Sequence, residues 1–185
     1  MAILKIARMG HPVLATPARP VEDPCDSAIR SLAADMIDTM RDAPGVGLAA
    51  PQVYVSLRVV VFEVPHARMA EDDESAGRGV PLTVLVNPEI EVLDDETEEG
   101  WEGCLSIPGL SGRVPRYTRI RYRGLGLDGR PIERKASGFH ARVVQHECDH
   151  LNGVLYPKRM KDLGTLGFVD EMRRAAAGDP AEDEL

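Results

Sequence analysis

The segment His146-Glu147-Cys148-Asp149-His150 constrains this chain more than any other. Two histidines four residues apart share a face when the backbone is helical, because successive turns bring positions i and i+4 together. There both imidazoles can be aimed at one divalent ion, with Glu147 beside it. An ordinary helix that happens to carry these residues is the competing reading. Two histidines and a carboxylate on the sheet-facing side of a helix are costly to bury without a partner, which favours the metal.

A hydrolytic metal normally has three protein ligands and one open position, so a third ligand is needed. Cys148 lies two helical steps from His146 and turns away from the histidines, as a packed core thiol would. Cys25 sits in the loop before the first helix with no histidine or glutamate next to it, and is read as structural. Cys104, preceded by Gly103 and followed by Pro108, lies in what reads as a constrained strand-to-turn backbone. It is either the third ligand or a buried structural thiol.

The rest of the chain supplies the frame. Asp26 or Ser27 can cap a helix whose apolar stripe is Ile29, Leu32, Ala33, Met36, Ile37 and Met40, ending before Pro44. A glycine loop, Gly45 to Gln52, follows. Strands are expected at Arg58 to Val64 and at Thr83 to Leu93, with a bulge or sheet edge at Pro88. Two more, at Arg119 to Arg123 and Pro131 to Lys135, are joined by a turn at Asp128-Gly129. Ser137-Gly138 opens the helix that carries both histidines, and Gly153 closes it; a short, weakly amphipathic stretch runs from Leu163 to Ala177. The fold class expected is α+β: mostly antiparallel sheets packed around a central helix bearing His146 and His150, with one N-terminal helix.

A length of 185 residues fits one domain, taken as residues 1–178, with 179–185 as an acidic, disordered tail. Apolar residues make up 43% and charged residues 28%, as in a soluble globular protein. The formal charge of -8 argues against a DNA-binding surface, since phosphate binding needs clustered cations. The acidic runs Glu71 to Glu74 and Asp94 to Glu99 read as solvated segments. The basic residues between Lys158 and Arg174 read as a solvated helix face before they read as a contact to ribosomal RNA. No secretory signal or membrane-length apolar run is found, and three unevenly spaced cysteines suit a reducing compartment, so the cytoplasm is expected.

Three segments, GVGLAAPQ at Gly45 to Gln52, EGCLSIP at Glu102 to Pro108 and QHECDHLNG at Gln145 to Gly153, stand in an order and at intervals that resemble the signature motifs of peptide deformylases. The resemblance extends roughly from Ile6 to Tyr156. It implies a hydrolase that removes the formyl group from the N-terminal methionine of nascent polypeptides and releases formate. It also implies one divalent metal ion on Cys104, His146 and His150, usually Fe(II), with Zn, Ni or Co able to substitute. Water at the metal's open position is then the nucleophile and Glu147 the general acid/base. Gln52 and the backbone N–H of Leu105 form the oxyanion site, and Gly47 anchors the substrate backbone. Val46, Phe139 and Val143 are the candidates for an apolar methionine slot; plain core is an equal reading for Phe139 and Val143. The partners implied are N-formylmethionyl peptides. A monomer is expected, and a transient ribosome contact is left open.

Two positions depart from a common form of the pattern. His140 stands where an aliphatic residue is usual, and its six-residue offset from His146 turns it off the ligand face. Ser111 stands near where many relatives have an arginine. His11 and His66 read as surface residues. Three competing functions remain to be weighed. A zinc peptidase would take its third ligand downstream, from Asp162, Asp170 or Glu171, and would leave the first two motifs without a role. A catalytically silent metal- or partner-binding domain would not need Glu147 and Gln52. A cysteine hydrolase would use Cys104 as nucleophile, and a chelator would leave its activity intact.

Overall fold

The apolar run around Val59 to Val64 is continuous rather than alternating, which is the pattern of a strand buried on both faces. The computed structural model, which describes residues 2–177, shows why. Strand β2 (Val59–Val64) is flanked by two helices, α1 (Ser27–Asp42) and α2 (Gly138–Leu151). Val60, Phe62 and Val64 pack with Ala141, Val144, Cys148 and Leu151 of α2. Val59 and Val61 pack with Ile29, Met36 and Met40 of α1. Each Val, Leu, Ile, Met or Phe side chain among them, fully buried, contributes about 1.5–3 kcal/mol. Asp26 caps α1 by accepting the Ala28 N–H at 2.7 Å. Residues 178–185, which include the end of the expected domain and the acidic tail, lie outside the described residues.

β2 belongs to a five-stranded antiparallel sheet in the order β1-β2-β3-β6-β7, formed with β1 (Gly47–Ala49), β3 (Val80–Val92), β6 (Arg119–Leu125) and β7 (Pro131–Ser137). The irregularity expected at Pro88 is present as a register shift between Val86 and Glu89, where Asn87 takes a φ of 51°. The Asn87 amide stabilises that turn by bonding both backbone groups of Val21, at 2.8 and 2.9 Å. A second antiparallel sheet, in the order β4-β5-β8, consists of β4 (Thr97–Cys104), β5 (Ile107–Tyr117) and the short β8 (Gly167–Phe168). α2 lies between the two sheets, as the α+β reading expects, and a third helix, α3 (Val169–Ala177), follows β8.

Three local expectations are corrected. The glycine loop is partly ordered: Gly47 to Ala49 pair with β2, and Ala50–Val53 form a 3-10 turn. The acidic run at Asp94 to Glu99 leads straight into β4, whose charged residues had masked a strand. Cys25 is exposed rather than packed.

The run Glu71 to Glu74 is corrected as well, because Asp73 is buried. Its Oδ2 accepts the Ser137 N–H at 2.8 Å and faces His140 Nδ1 at 3.0 Å. His140 is fully buried, and its other ring nitrogen lies 3.1 Å from the Tyr122 hydroxyl. Burial holds the His140 pKa below its ordinary value despite the Asp73 carboxylate. The polar residue at the departing position thus pins the loop after β2 to the first turn of α2. Replacing Asp73 with alanine leaves a buried ring N–H and a helix-terminal N–H unpaired. A loss of about 2 kcal/mol is expected in urea unfolding, and an unchanged midpoint would remove this loop anchor.

Candidate metal centre and its pocket

α2 presents His146, Glu147 and His150 toward the tip of the β4–β5 hairpin. Cys104 is the last residue of β4, next to a register shift between Gly103 and Cys104 that re-aims its side chain. The Cys104 Sγ lies 3.3 Å from His150 Nε2. One ligand atom each from Cys104, His146 and His150 fall within 4.8 Å of one another. The three expected ligands are therefore brought together.

The donor set fits a divalent metal. His146 Nδ1 lies 2.8 Å from Glu102 Oε2, an arrangement that assigns the proton to Nδ1 and leaves Nε2 with its lone pair. His150 is buried, and burial followed by the charge of His146 holds its pKa well below the ordinary value, so it is kept neutral, the form in which an imidazole can bind a metal. His146 is opposite. Burial favours its neutral form, but hydrogen bonds to Cys104 and Glu102 raise its pKa well above the ordinary value. A metal cation on Nε2 can take the place of the proton on that side of the ring, while the Nδ1–H stays bonded to Glu102.

Glu102 anchors the site, and the sequence reading gave it no role. Burial opposes its charge, yet bonds from Arg116 and His146 hold its pKa at about 2. Arg116 donates to both Glu102 oxygens, at 2.8 and 3.0 Å, and to Asp149 Oδ2 at 2.6 Å. Arg142 donates to Glu102 Oε1 at 2.9 Å and to the Val114 carbonyl at 2.7 Å, while Arg159 donates to both Asp149 oxygens. A signal for Glu102 was present: alternation along β4 puts it on the inward side with Gly100 and Cys104. Arg116 and Asp149 carry no comparable local signal, because only the packing of β5 on α2 pairs them. Replacing Arg116 with alanine leaves two buried carboxylates without their shared cation. A loss of about 3–5 kcal/mol is expected in denaturant unfolding, and a loss under about 1 kcal/mol would show the network to be dispensable.

Glu147 is buried, and its Oε2 has no hydrogen-bond partner among the described residues. Burial raises its pKa to about 7, a value at which a carboxyl can both accept and donate a proton near neutral pH. Gly47 lies directly against this carboxylate, and a Cβ there would collide with it. Gln52 is buried; its Oε1 accepts the Ala49 N–H at 2.9 Å, and its Nε2 reaches Ser106 Oγ at 3.1 Å and Cys104 Sγ at 3.6 Å. The amide donor is thereby turned to the ligand side. Leu105 sits at the hairpin tip between β4 and β5, close against Gly45.

These groups open on a cavity of about 500 Å³ whose walls include Val46, Phe139 and Val143. Val143 both packs in the core and lines the cavity. Arg142 and Arg68 also line it, and neither was expected. Cys148 is buried in the core cluster, away from the ligands, and burial pushes its thiol up to about 12. His11 and His66 are exposed, as read. Ser111 donates to the Glu102 carbonyl at 2.9 Å, a backbone bond within the hairpin.

A family model described as polypeptide deformylase matches residues 3–165. Peptide deformylase 1 of Nitrosomonas europaea is 52% identical over 170 residues, covering 92% of this chain and 94% of that protein. A Met-Ala-Ser-bound crystal structure of class I type b peptide deformylase from Acinetobacter baumannii superposes with a TM-score of 0.76 at 37% identity, covering 86% of this chain and 99% of that one. The crystal structure of peptide deformylase from Ehrlichia chaffeensis gives 0.80 at 32% identity over the whole of both chains.

Proposed function

The chain belongs to the polypeptide deformylase family, and on that premise we propose how its own residues carry out the metal-dependent removal of the N-formyl group from formylmethionyl peptides. The observation that carries the assignment of roles is the convergence of Cys104, His146 and His150 within 4.8 Å, at the edge of a cavity that also holds Glu147. These three residues would hold the metal. When bound, a divalent ion there supplies Lewis-acid polarisation of the carbonyl oxygen and lowers the pKa of a coordinated water from about 15.7 to about 7.

Glu147 takes the proton of the attacking water on its unpaired Oε2 and later delivers it to the departing amine, so one carboxyl serves both steps. Gln52 Nε2 and the Leu105 N–H donate to the oxygen that gains charge as the formyl carbon becomes tetrahedral. Gln52 starts from an orientation already imposed by Ala49 and Ser106, which limits reorganisation during the reaction. Gly47 keeps the space beside Glu147 open for the substrate backbone. Val46, Phe139 and Val143 receive the methionine side chain. Formate and a free N-terminal methionine are released.

Fe(II) is the ion assigned for the cell, with Zn, Ni and Co as substitutes, because one thiolate and two imidazoles suit more than one transition metal. The same reading treats residues 1–178 as one domain acting as a cytoplasmic monomer on nascent chains, with a transient ribosome contact through the basic residues after Lys158. No helix among the described residues is long and apolar enough to cross a membrane.

The test is formate release from formyl-Met-Ala-Ser by anaerobically purified protein, before and after chelation and after reloading with Fe(II) or Zn. Activity should vanish with the metal and return more fully with Fe(II). Activity that survives chelation would instead make Cys104 a thiol nucleophile.

A further inference from the structure

The cavity's charged lining groups are Arg68, Glu102, Arg142, His146 and Glu147. Four of them are accounted for. Glu102 is held by Arg116, Arg142 and His146, and Glu147 is buried with a pKa near neutrality. Arg68 is different: it is exposed, and its guanidinium forms no hydrogen bond or ion pair with any other described residue. Its guanidinium carbon lies 3.4 Å from the centroid of the Phe139 ring, itself a cavity wall. Contact with a ring face uses none of the five N–H donors, so the charge is held at the rim with its hydrogen bonds uncommitted.

The position of Arg68 is set by structure on both sides. It ends a 3-10 turn, His66–Arg68, in which its own N–H bonds the Pro65 carbonyl at 2.9 Å. The ends of the loop close tightly, since a Cβ at Gly79 would lie 2.7 Å from the Val64 carbonyl. Further along the loop, Asp73 is fastened to Ser137 and His140 at the start of α2. The same helix therefore carries Phe139 under the guanidinium and His146 and Glu147 in the reacting site.

We propose that Arg68 is a specificity-determining residue that recognises an acidic side chain in the two residues following the formylmethionine of the substrate. With the methionine in the slot beside Val143 and Phe139, the Arg68 charge stacked on Phe139 lies beside the bound peptide. Arg68 is the uncommitted full charge there among the described residues, so a carboxylate is attracted and a lysine repelled. The inference rests on the deformylase reading, and the experiment separates the two.

Metal-loaded full-length protein is assayed on formyl-Met-Asp-Ser, formyl-Met-Ala-Asp, formyl-Met-Ala-Ser and formyl-Met-Lys-Ser at low and high salt. The better of the two acidic peptides should exceed the lysine peptide by roughly three- to tenfold in kcat/KM at low salt, mainly through KM, and high salt should shrink the ratio. Arg68→Gln should bring the ratio close to one, and Arg68→Glu should reverse it, which a purely structural role for this exposed residue would not do. A parent enzyme without the preference, or a preference that survives Arg68→Gln, overturns the proposal. Absence of formate release from every peptide overturns the deformylase reading, and the proposal with it.

Discussion

Glu147→Gln is expected to lower kcat/KM for formyl-Met-Ala-Ser by roughly 10²- to 10⁴-fold and, in the same variant, to make the metal-free protein more stable at alkaline pH. The activity loss follows from geometry: the amide keeps the shape of Glu147 beside Gly47 but cannot take a proton from water. The stability gain follows from burial, which raises the carboxyl from its ordinary 4.5 to about 7. An acid whose folded pKa lies above its unfolded value binds its proton more tightly in the folded state. That advantage is fully present below the unfolded pKa and is lost as pH rises through the folded one. Below pH 4.5 wild type and variant should therefore match, and above about pH 7 the variant should gain, by up to about 3 kcal/mol. Metal-free protein is specified because a nearby cation stabilises the carboxylate and removes the difference. Denaturant unfolding at acid and alkaline pH measures the gain, and formate release measures the loss. Retained activity would take the proton-transfer role from Glu147, and equal stability at alkaline pH would show that water reaches its carboxyl.

Cys104→Ala is expected to abolish stable metal binding and with it activity, while leaving the fold in place. Cys104 is only half-buried at a hairpin tip, so removing its sulfur opens no large core cavity. What remains is a pair of imidazoles. The affinity for Zn should fall by more than the roughly 10- to 100-fold typical of losing an outer-sphere hydrogen-bond partner. Metal content after dialysis against a buffered Zn supply reads this directly. In the parent, loading metal should raise Tm, because the ion binds the folded chain and releases the proton that His146 shares with Cys104. The variant should show neither the Tm shift nor the proton release. A variant that keeps its metal would move the third ligand elsewhere.

Residues close in sequence carried the readable part of this protein. His146, Glu147 and His150 lie within one helical turn and a half, so periodicity alone aligned them, and Ser137 and Gly153 bounded their helix. The same holds for α1, for the doubly buried run of β2, and for the turn at Asp128-Gly129, where Gly129 takes a φ of 75°. Cys104 was legible only as an alternative until three motifs were taken together, because its place beside the histidines depends on a hairpin reaching α2 from another sheet.

Tertiary structure decided the rest. β4 and β5 were hidden by charge, glycine and proline, whose weak strand propensity is overridden by pairing across the hairpin and by docking on α2. Asp73 read as part of a solvated acidic run, and only the return of its loop to His140 buries it. Glu102, Arg116 and Asp149 come from β4, β5 and α2, and their charges are tolerable because they meet. Local sequence determines backbone shape and the face on which each side chain lies. Which charges are buried and which find partners, and hence the pKa of Glu147 and the free charge of the exposed Arg68, is set by contacts between distant segments that no local pattern encodes.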